Sequence, residues 1–123
     1  MADDAIFDAA RAEAYSTPLD KIDVSVGERF ENNTFWPFFE RLRREDPVHF
    51  TAESEYGPYW SATTFNDIMT VETNHAVFSS DGEISIFDRE SEDFVLPMFI
   101  AMDPPKHDAQ RKAVSPELRN TGL

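Results

Sequence analysis

The chain has 123 residues, enough for one ordinary domain or a piece of a larger one. It is 41% hydrophobic and 13% aromatic, with eleven Phe and two Trp, which excludes a disordered acidic tail. A net charge of −13 argues against nucleic acid or an anionic membrane surface as partner. With no cysteine, disulfides, thiolate metal sites and cysteine nucleophiles are excluded from these residues.

The opening Met1-Ala2-Asp3-Asp4-Ala5 lacks the basic and apolar regions of a signal peptide. The longest apolar run, Phe94 to Met102, is interrupted by Pro97 and is too short to span a bilayer. A soluble cytoplasmic protein without a membrane span is expected.

Residues 1–33 read as a lead-in. Within it, Ala5 to Ala14 favours a short helix that Thr17-Pro18 ends, and residues 19–33 read as loosely packed. The first strong helix is Thr34 to Glu45. Phe35, Phe38, Phe39 and Leu42 follow the i, i+3, i+4, i+7 pattern. Thr34 is its expected cap, and Pro37 falls in its first turn. Glu40, Arg41, Arg43, Arg44 and Glu45 form the expected wet face, and Phe35, Trp36, Phe38 and Phe39 the core. Asp46-Pro47 stops the helix.

Val48 and Phe50 alternate with His49 and Thr51. After the turn Glu55-Tyr56-Gly57-Pro58, Tyr59 to Thr63 reads as the returning strand of a hairpin. One hairpin is marginal in water, so a larger sheet is expected. Thr64-Phe65-Asn66-Asp67 resembles a capping box with Asp in place of Glu, and opens a helix that ends near Asn74-His75.

Residues 83–102 read as a long connection, acidic at Glu90 to Asp93 and apolar from Phe94 to Met102. Long loops of this kind are often functional, although a buried segment capping a core fits the apolar run equally well. The acidic run reads as a solvated loop. His49 and His75 have no partner His at helical spacing, so they read as structural and no metal site is expected. A last helix runs from about Pro105 to Val114 and ends at Ser115-Pro116, capped by Asp103 and aided by an Asp108–Lys112 pair. It places His107 and Arg111 on one face beside its electropositive end, a site for a carboxylate or phosphate. The fold class read from these elements is mainly α with a small antiparallel β hairpin.

The order of elements, and above all Asp103-Pro104-Pro105-Lys106-His107-Asp108-Ala109-Gln110-Arg111-Lys112, resembles the N-terminal part of a cytochrome P-450, the heme-thiolate monooxygenase family. The resemblance covers about residues 30–116, so 34–116 is expected to be an incomplete N-terminal portion of that fold and 117–123 a truncated tail. Glu117-Leu118-Arg119-Asn120 fits the family poorly. The run Leu96 to Met102 is most similar to the bacterial branch that hydroxylates alkanes or fatty acids at the terminal carbon.

The resemblance implies that His107 and Arg111 bind the propionates of heme b, iron protoporphyrin. It implies that Val95, Met98, Phe99 and Ile100 line the substrate channel. It further implies dioxygen and a small apolar substrate, with electrons relayed from NAD(P)H through a ferredoxin reductase and ferredoxin. Lys106 and Lys112 are candidates to meet the acidic donor, and an ordinary wet face fits them at least as well. The iron-ligating Cys of the family is absent from these residues, so no catalytic residue is expected here and the chain alone should be inactive. The alternative is a non-enzymatic acidic module that binds an anionic ligand or a protein partner through helix 105–114.

Overall fold

The computed structural model describes residues 2–82, 84–86 and 98–120, with side chains described between residues 4 and 116 of these. The described elements are mainly helical, with one two-stranded antiparallel sheet. Contacts divide the chain into two units, Met1–Thr70 and Val71–Leu123.

In the first unit, α1 (Ala2–Ser16) packs against α3 (Trp36–Glu45). Ala10 and Ala14 lie one helical turn apart on α1, and Phe38 and Leu42 do the same on α3, so each helix offers one apolar stripe. Ile22 and Val24 complete this core. They come from the segment between the helices, which also holds a 3-10 turn (Leu19–Lys21) and the short α2 (Gly27–Glu31). The expectation that residues 19–33 are loosely packed is therefore corrected: this stretch supplies two core side chains.

Helix α2 closes with a Schellman motif. Asn33 takes a positive φ of 56°, its N–H donates to Phe30 O at 3.2 Å, and Thr34 N–H donates to Arg29 O at 2.7 Å. This arrangement explains why Thr34 does not cap α3. Its hydroxyl also donates to Arg29 O, and α3 begins without a side-chain cap, with Pro37 in the first turn. Two further expectations for α3 are corrected. Trp36 is half exposed, its indole N–H donating to Asn33 Oδ1 at 2.9 Å. Arg41 is not on the wet face: its guanidinium is largely buried and donates to Ala14 O and Thr17 O, each at 2.6 Å, at the carbonyl end of α1.

The hairpin joins β1 (Val48–Thr51) to β2 (Tyr59–Ala62), with Phe50 opposite Trp60. Its turn is closed by Gly57, whose φ of 81° suits glycine and whose N–H donates to Ser54 O at 3.2 Å. The polar face of β1 is the buried one. His49 and Thr51 point inward, while Val48, Phe50 and Trp60 are exposed. The reason lies in the core segment. Both His49 Nε2, at 2.9 Å, and the Thr51 hydroxyl, at 3.3 Å, reach Ile22 O, and His49 Nδ1 lies 2.8 Å from Asp46 Oδ2. Tyr59 extends this polar layer. Its hydroxyl accepts from Val24 N–H and Ser25 N–H, both at 3.1 Å, and donates to Asp23 Oδ1 at 2.6 Å.

Helix α4 (Phe65–Glu72) opens on the Thr64–Asp67 box. Thr64 Oγ1 accepts from Asp67 N–H at 3.3 Å and donates to the Asp67 carboxylate. In the second unit, turns at Asn74 to Phe78 lead from α4, and a 3-10 turn (Phe99–Ala101) packs against α5 (Lys106–Asn120). Helix α5 does not stop at Ser115-Pro116 but continues to Asn120. Pro116 supplies no N–H for the turn before it. The neighbouring Ser115 hydroxyl donates to Arg111 O at 2.7 Å, bringing a side-chain donor to that weakened stretch.

Candidate functional site

The second unit holds a cleft of about 960 Å³, at the upper end of the roughly 300–1,000 Å³ usual for small-molecule sites. Two pieces of chain form its chemistry. The 3-10 turn contributes Met98, Phe99 and Ile100, all at least partly exposed, and the first turns of α5 contribute His107 and Arg111. The helix places those two side chains one turn apart, as their spacing requires. The aromatic rings of Phe99 and His107 stand 5.9 Å apart, so the apolar and basic parts of the cleft are in contact. Val95 lies outside the described residues.

His107 is pinned on one side. Its Nδ1 lies 3.0 Å from Asp108 Oδ1, so Asp108 pairs with its neighbour rather than with Lys112. Arg111 has no ion pair among the described residues, although the chain carries an excess of carboxylates. An unpaired guanidinium with an imidazole one turn away is a donor set for an external carboxylate. The adjoining Met98, Phe99 and Ile100 offer a flat or chain-like apolar ligand a surface to lie against.

Other polar residues of the cleft, Glu72, His75, Ser80, Asp103 and Gln110 among them, were not read as site residues in the sequence. His75, expected to be structural, lines the cleft. Asp103 does not cap α5 with its side chain. Its Oδ2 accepts from the Ser79 hydroxyl, and its Oδ1 accepts from Ser80 N–H at 2.7 Å. Those bonds, the Ser79 bond first and then the Ser80 N–H, hold its carboxyl below the ordinary aspartate value, and the charge on His75 acts in the same direction. Its backbone carbonyl meanwhile accepts from His107 N–H at 3.1 Å. No signal in the local sequence links Ser79 to Asp103, since the bond spans 24 residues.

Among the described residues no cluster of His, Asp and Glu could hold a metal ion, and no helix is long and apolar enough to cross a membrane.

No protein-family model matches the chain. It is 36% identical over 110 residues to linalool 8-monooxygenase of Pseudomonas putida, a match covering 81% of this chain and 27% of that protein. It is 29% identical to cytochrome P450-terp of a Pseudomonas species, covering 66% of this chain and 22% of the relative. Among solved structures it resembles CYP153D17 from Sphingomonas sp. PAMC 26605, with a TM-score of 0.72 and 40% identity over 80% of this chain and 26% of that one. Cytochrome P450-153 from Novosphingobium aromaticivorans gives a TM-score of 0.69 and 38% identity over 76% of this chain and 26% of that one. The chain thus spans about a quarter of the length of these relatives. On the strength of a shared fold and 36–40% identity across most of its residues, the chain belongs to the cytochrome P450 family and corresponds to an N-terminal part of it.

Proposed function

We propose that these residues form the heme-anchoring and substrate-facing part of a cytoplasmic monooxygenase that hydroxylates apolar chains at a terminal carbon. The cofactor of the family is heme, with redox partners supplying electrons from NAD(P)H. When bound, heme supplies the oxygen-activating iron chemistry by which one oxygen atom enters a C–H bond. The thiolate that ligates iron must come from residues beyond these 123, which contain no Cys.

The roles left to this chain are binding and orientation. Arg111 offers a planar fork of N–H donors to one heme propionate, and His107 offers an imidazole N–H to the other. With Nδ1–H donated to the Asp108 carboxylate, Nε2 is the nitrogen left for that contact, and donating from it requires the doubly protonated ring. Met98, Phe99 and Ile100, together with Val95, line the route of the alkyl chain. Their apolar side chains exclude water and offer no polar group to a substrate heteroatom, which favours a hydrocarbon over a polar ligand. Lys106 and Lys112 carry no ion pair among the described residues and suit an acidic ferredoxin, reduced in turn by a ferredoxin reductase.

One observation carries the reading: an Arg without a carboxylate partner among the described residues shares one cleft with a His and an apolar turn. The test uses the full-length protein. Arg111→Ala should release heme to excess apomyoglobin about 30-fold faster, the equivalent of about 2 kcal/mol for a lost charge-assisted bond. An unchanged release rate would exclude Arg111 as an anchor. For the substrate, saturation with linear alkanes should shift the Soret band, and the products should be primary alcohols. Hydroxylation confined to internal carbons would remove the terminal-carbon assignment.

A further inference from the structure

We propose that Asp103, together with Ser79 and Ser80, is a positioning latch that fixes the His107–Arg111 pair for its anionic ligand. This inference rests on the propionate-binding reading and adds to it a residue outside the binding pair.

The geometry is specific. Both carboxylate oxygens of Asp103 are engaged by the loop that follows α4: Oδ2 by the Ser79 hydroxyl, Oδ1 by Ser80 N–H at 2.7 Å. Ser79 Oγ in turn accepts from Asp81 N–H at 3.0 Å, so the loop's own turn holds the donor in place. On its other side Asp103 is the root of α5, because its carbonyl accepts from His107 N–H at 3.1 Å. One residue therefore joins the 79–81 loop to the first turn of the helix. His107 is one bond away from this junction, and Arg111 one turn further.

The rest of α5 is weakly held. Its described side chains are mostly exposed, and among the described elements of this unit its packing partner is the 3-10 turn Phe99–Ala101. Within these residues, the polar ties at its root are therefore what fix the start of the helix. Placement of a bidentate Arg–carboxylate contact tolerates only small displacements, so freeing the helix root should be read out at Arg111. The groups facing the Asp103 carboxylate are Ser79, Ser80 and, by charge, His75.

The test compares two ligands in the full-length protein, heme and heme dimethyl ester, whose esterified propionates cannot accept a charge-assisted bond from Arg111. Release of each to excess apomyoglobin is measured for Asp103→Ala, Asp103→Asn, Ser79→Ala and Arg111→Ala. A positioning role predicts that Asp103→Ala speeds heme release about tenfold, less than the full loss of the contact in Arg111→Ala, and leaves ester release unchanged. Ser79→Ala should show a smaller effect of the same pattern. Asp103→Asn should restore most of the retention, because its amide can still accept from Ser80 N–H and donate to Ser79 Oγ. Equal acceleration of both ligands by Asp103→Ala would mark a general structural role and overturn the latch. So would unchanged release of heme. Arg111→Ala reports separately on the underlying reading. If that variant fails to distinguish heme from its ester, propionate binding itself is wrong and the latch falls with it. If Arg111→Ala discriminates and Asp103→Ala does not, the latch alone is wrong.

Discussion

The two units differ in how they satisfy their apolar side chains. The first encloses Ala10, Ala14, Ile22, Val24, Phe38 and Leu42, and fastens that core with buried His49 and Thr51 and part-buried Tyr59 hydrogen bonds. The second has Ala101 as its buried apolar side chain among the described residues, while Val77, Phe78, Met98, Phe99 and Ile100 remain open. The difference lies in the enclosed core and not in the surface left open: the first unit also exposes Phe50, Trp60 and Phe65, so its stability rests on what it encloses.

The largest expected effect tests this contrast directly. Leu42→Ala empties a fully buried site between α1 and α3 and should cost about 3 kcal/mol or more. Ile100→Ala, at 63% exposure in the second unit, should cost within about 0.5 kcal/mol. Urea unfolding of the two variants checks both. Similar losses would show that the units share one core and that the contrast is misplaced.

The polar layer of the first unit provides the next test. His49 is buried with both ring nitrogens facing acceptors, Asp46 Oδ2 and Ile22 O. His49→Ala removes the bond to Asp46 and one of the two bonds to Ile22 O, which keeps the Thr51 hydroxyl, and about 2 kcal/mol of stability should be lost. Hydrogen exchange should report the loss at the amides of β1 and β2. If protection there is unaltered, the buried face of β1 owes its place to something other than this bond.

Tyr59→Phe removes one hydroxyl that satisfies two backbone N–H groups and one carboxylate. Its effect should depend on pH. Burial raises the Asp23 carboxyl, but hydrogen bonds from the Ser25 side chain, Tyr59 and Ser25 N–H outweigh it, and the net shift is downward. A lowered value means that the contribution of Asp23 is complete above about pH 4 and fades as pH falls through its folded-state value. The wild-type chain should therefore lose stability below about pH 4, and Tyr59→Phe should flatten that acid-side slope. Urea midpoints between pH 3 and 6 give the comparison. Parallel curves would remove the Tyr59–Asp23 bond from the account.

These same residues show what could be read from the sequence and what could not. The α3 stripe was legible because a 3.6-residue period is a local signal, and Phe38 and Leu42 are indeed buried. The Thr64–Asp67 box and the hairpin turn were legible for the same reason. Residues 19–33 were not. Their packing depends on His49 and Thr51 reaching Ile22 O, 27 and 29 residues away. Nor could alternation alone say which face of β1 is buried; the polar face wins because it meets a backbone acceptor rather than an apolar wall. At the site, the His107–Arg111 spacing was visible, whereas the Ser79–Asp103 contact is a property of the folded loop.

The smallest expected effect lies within one helix. Arg41 and Arg44 stand three positions apart on α3 and read alike in sequence, yet their surroundings differ. Arg41 donates to two carbonyls at the end of α1, where a cation also meets the helix dipole favourably. Arg44 is 67% exposed and lies 3.3 Å from Glu40 in an ordinary i, i+4 pair that water and salt screen. Arg41→Ala should thus cost about 2 kcal/mol, through two lost charge-assisted bonds to carbonyls. Arg44→Ala should leave the urea midpoint unmoved within error. Arg44 acts through a screened pair, whereas Arg41 adds two carbonyl bonds to its own i, i+4 pair with Glu45 at 3.0 Å, so raising the salt concentration should narrow whatever small difference Arg44→Ala shows and leave most of that of Arg41→Ala intact. Equal salt sensitivity of the two variants would mean that Arg41 is solvated after all, and that the contact between α1 and α3 is apolar alone.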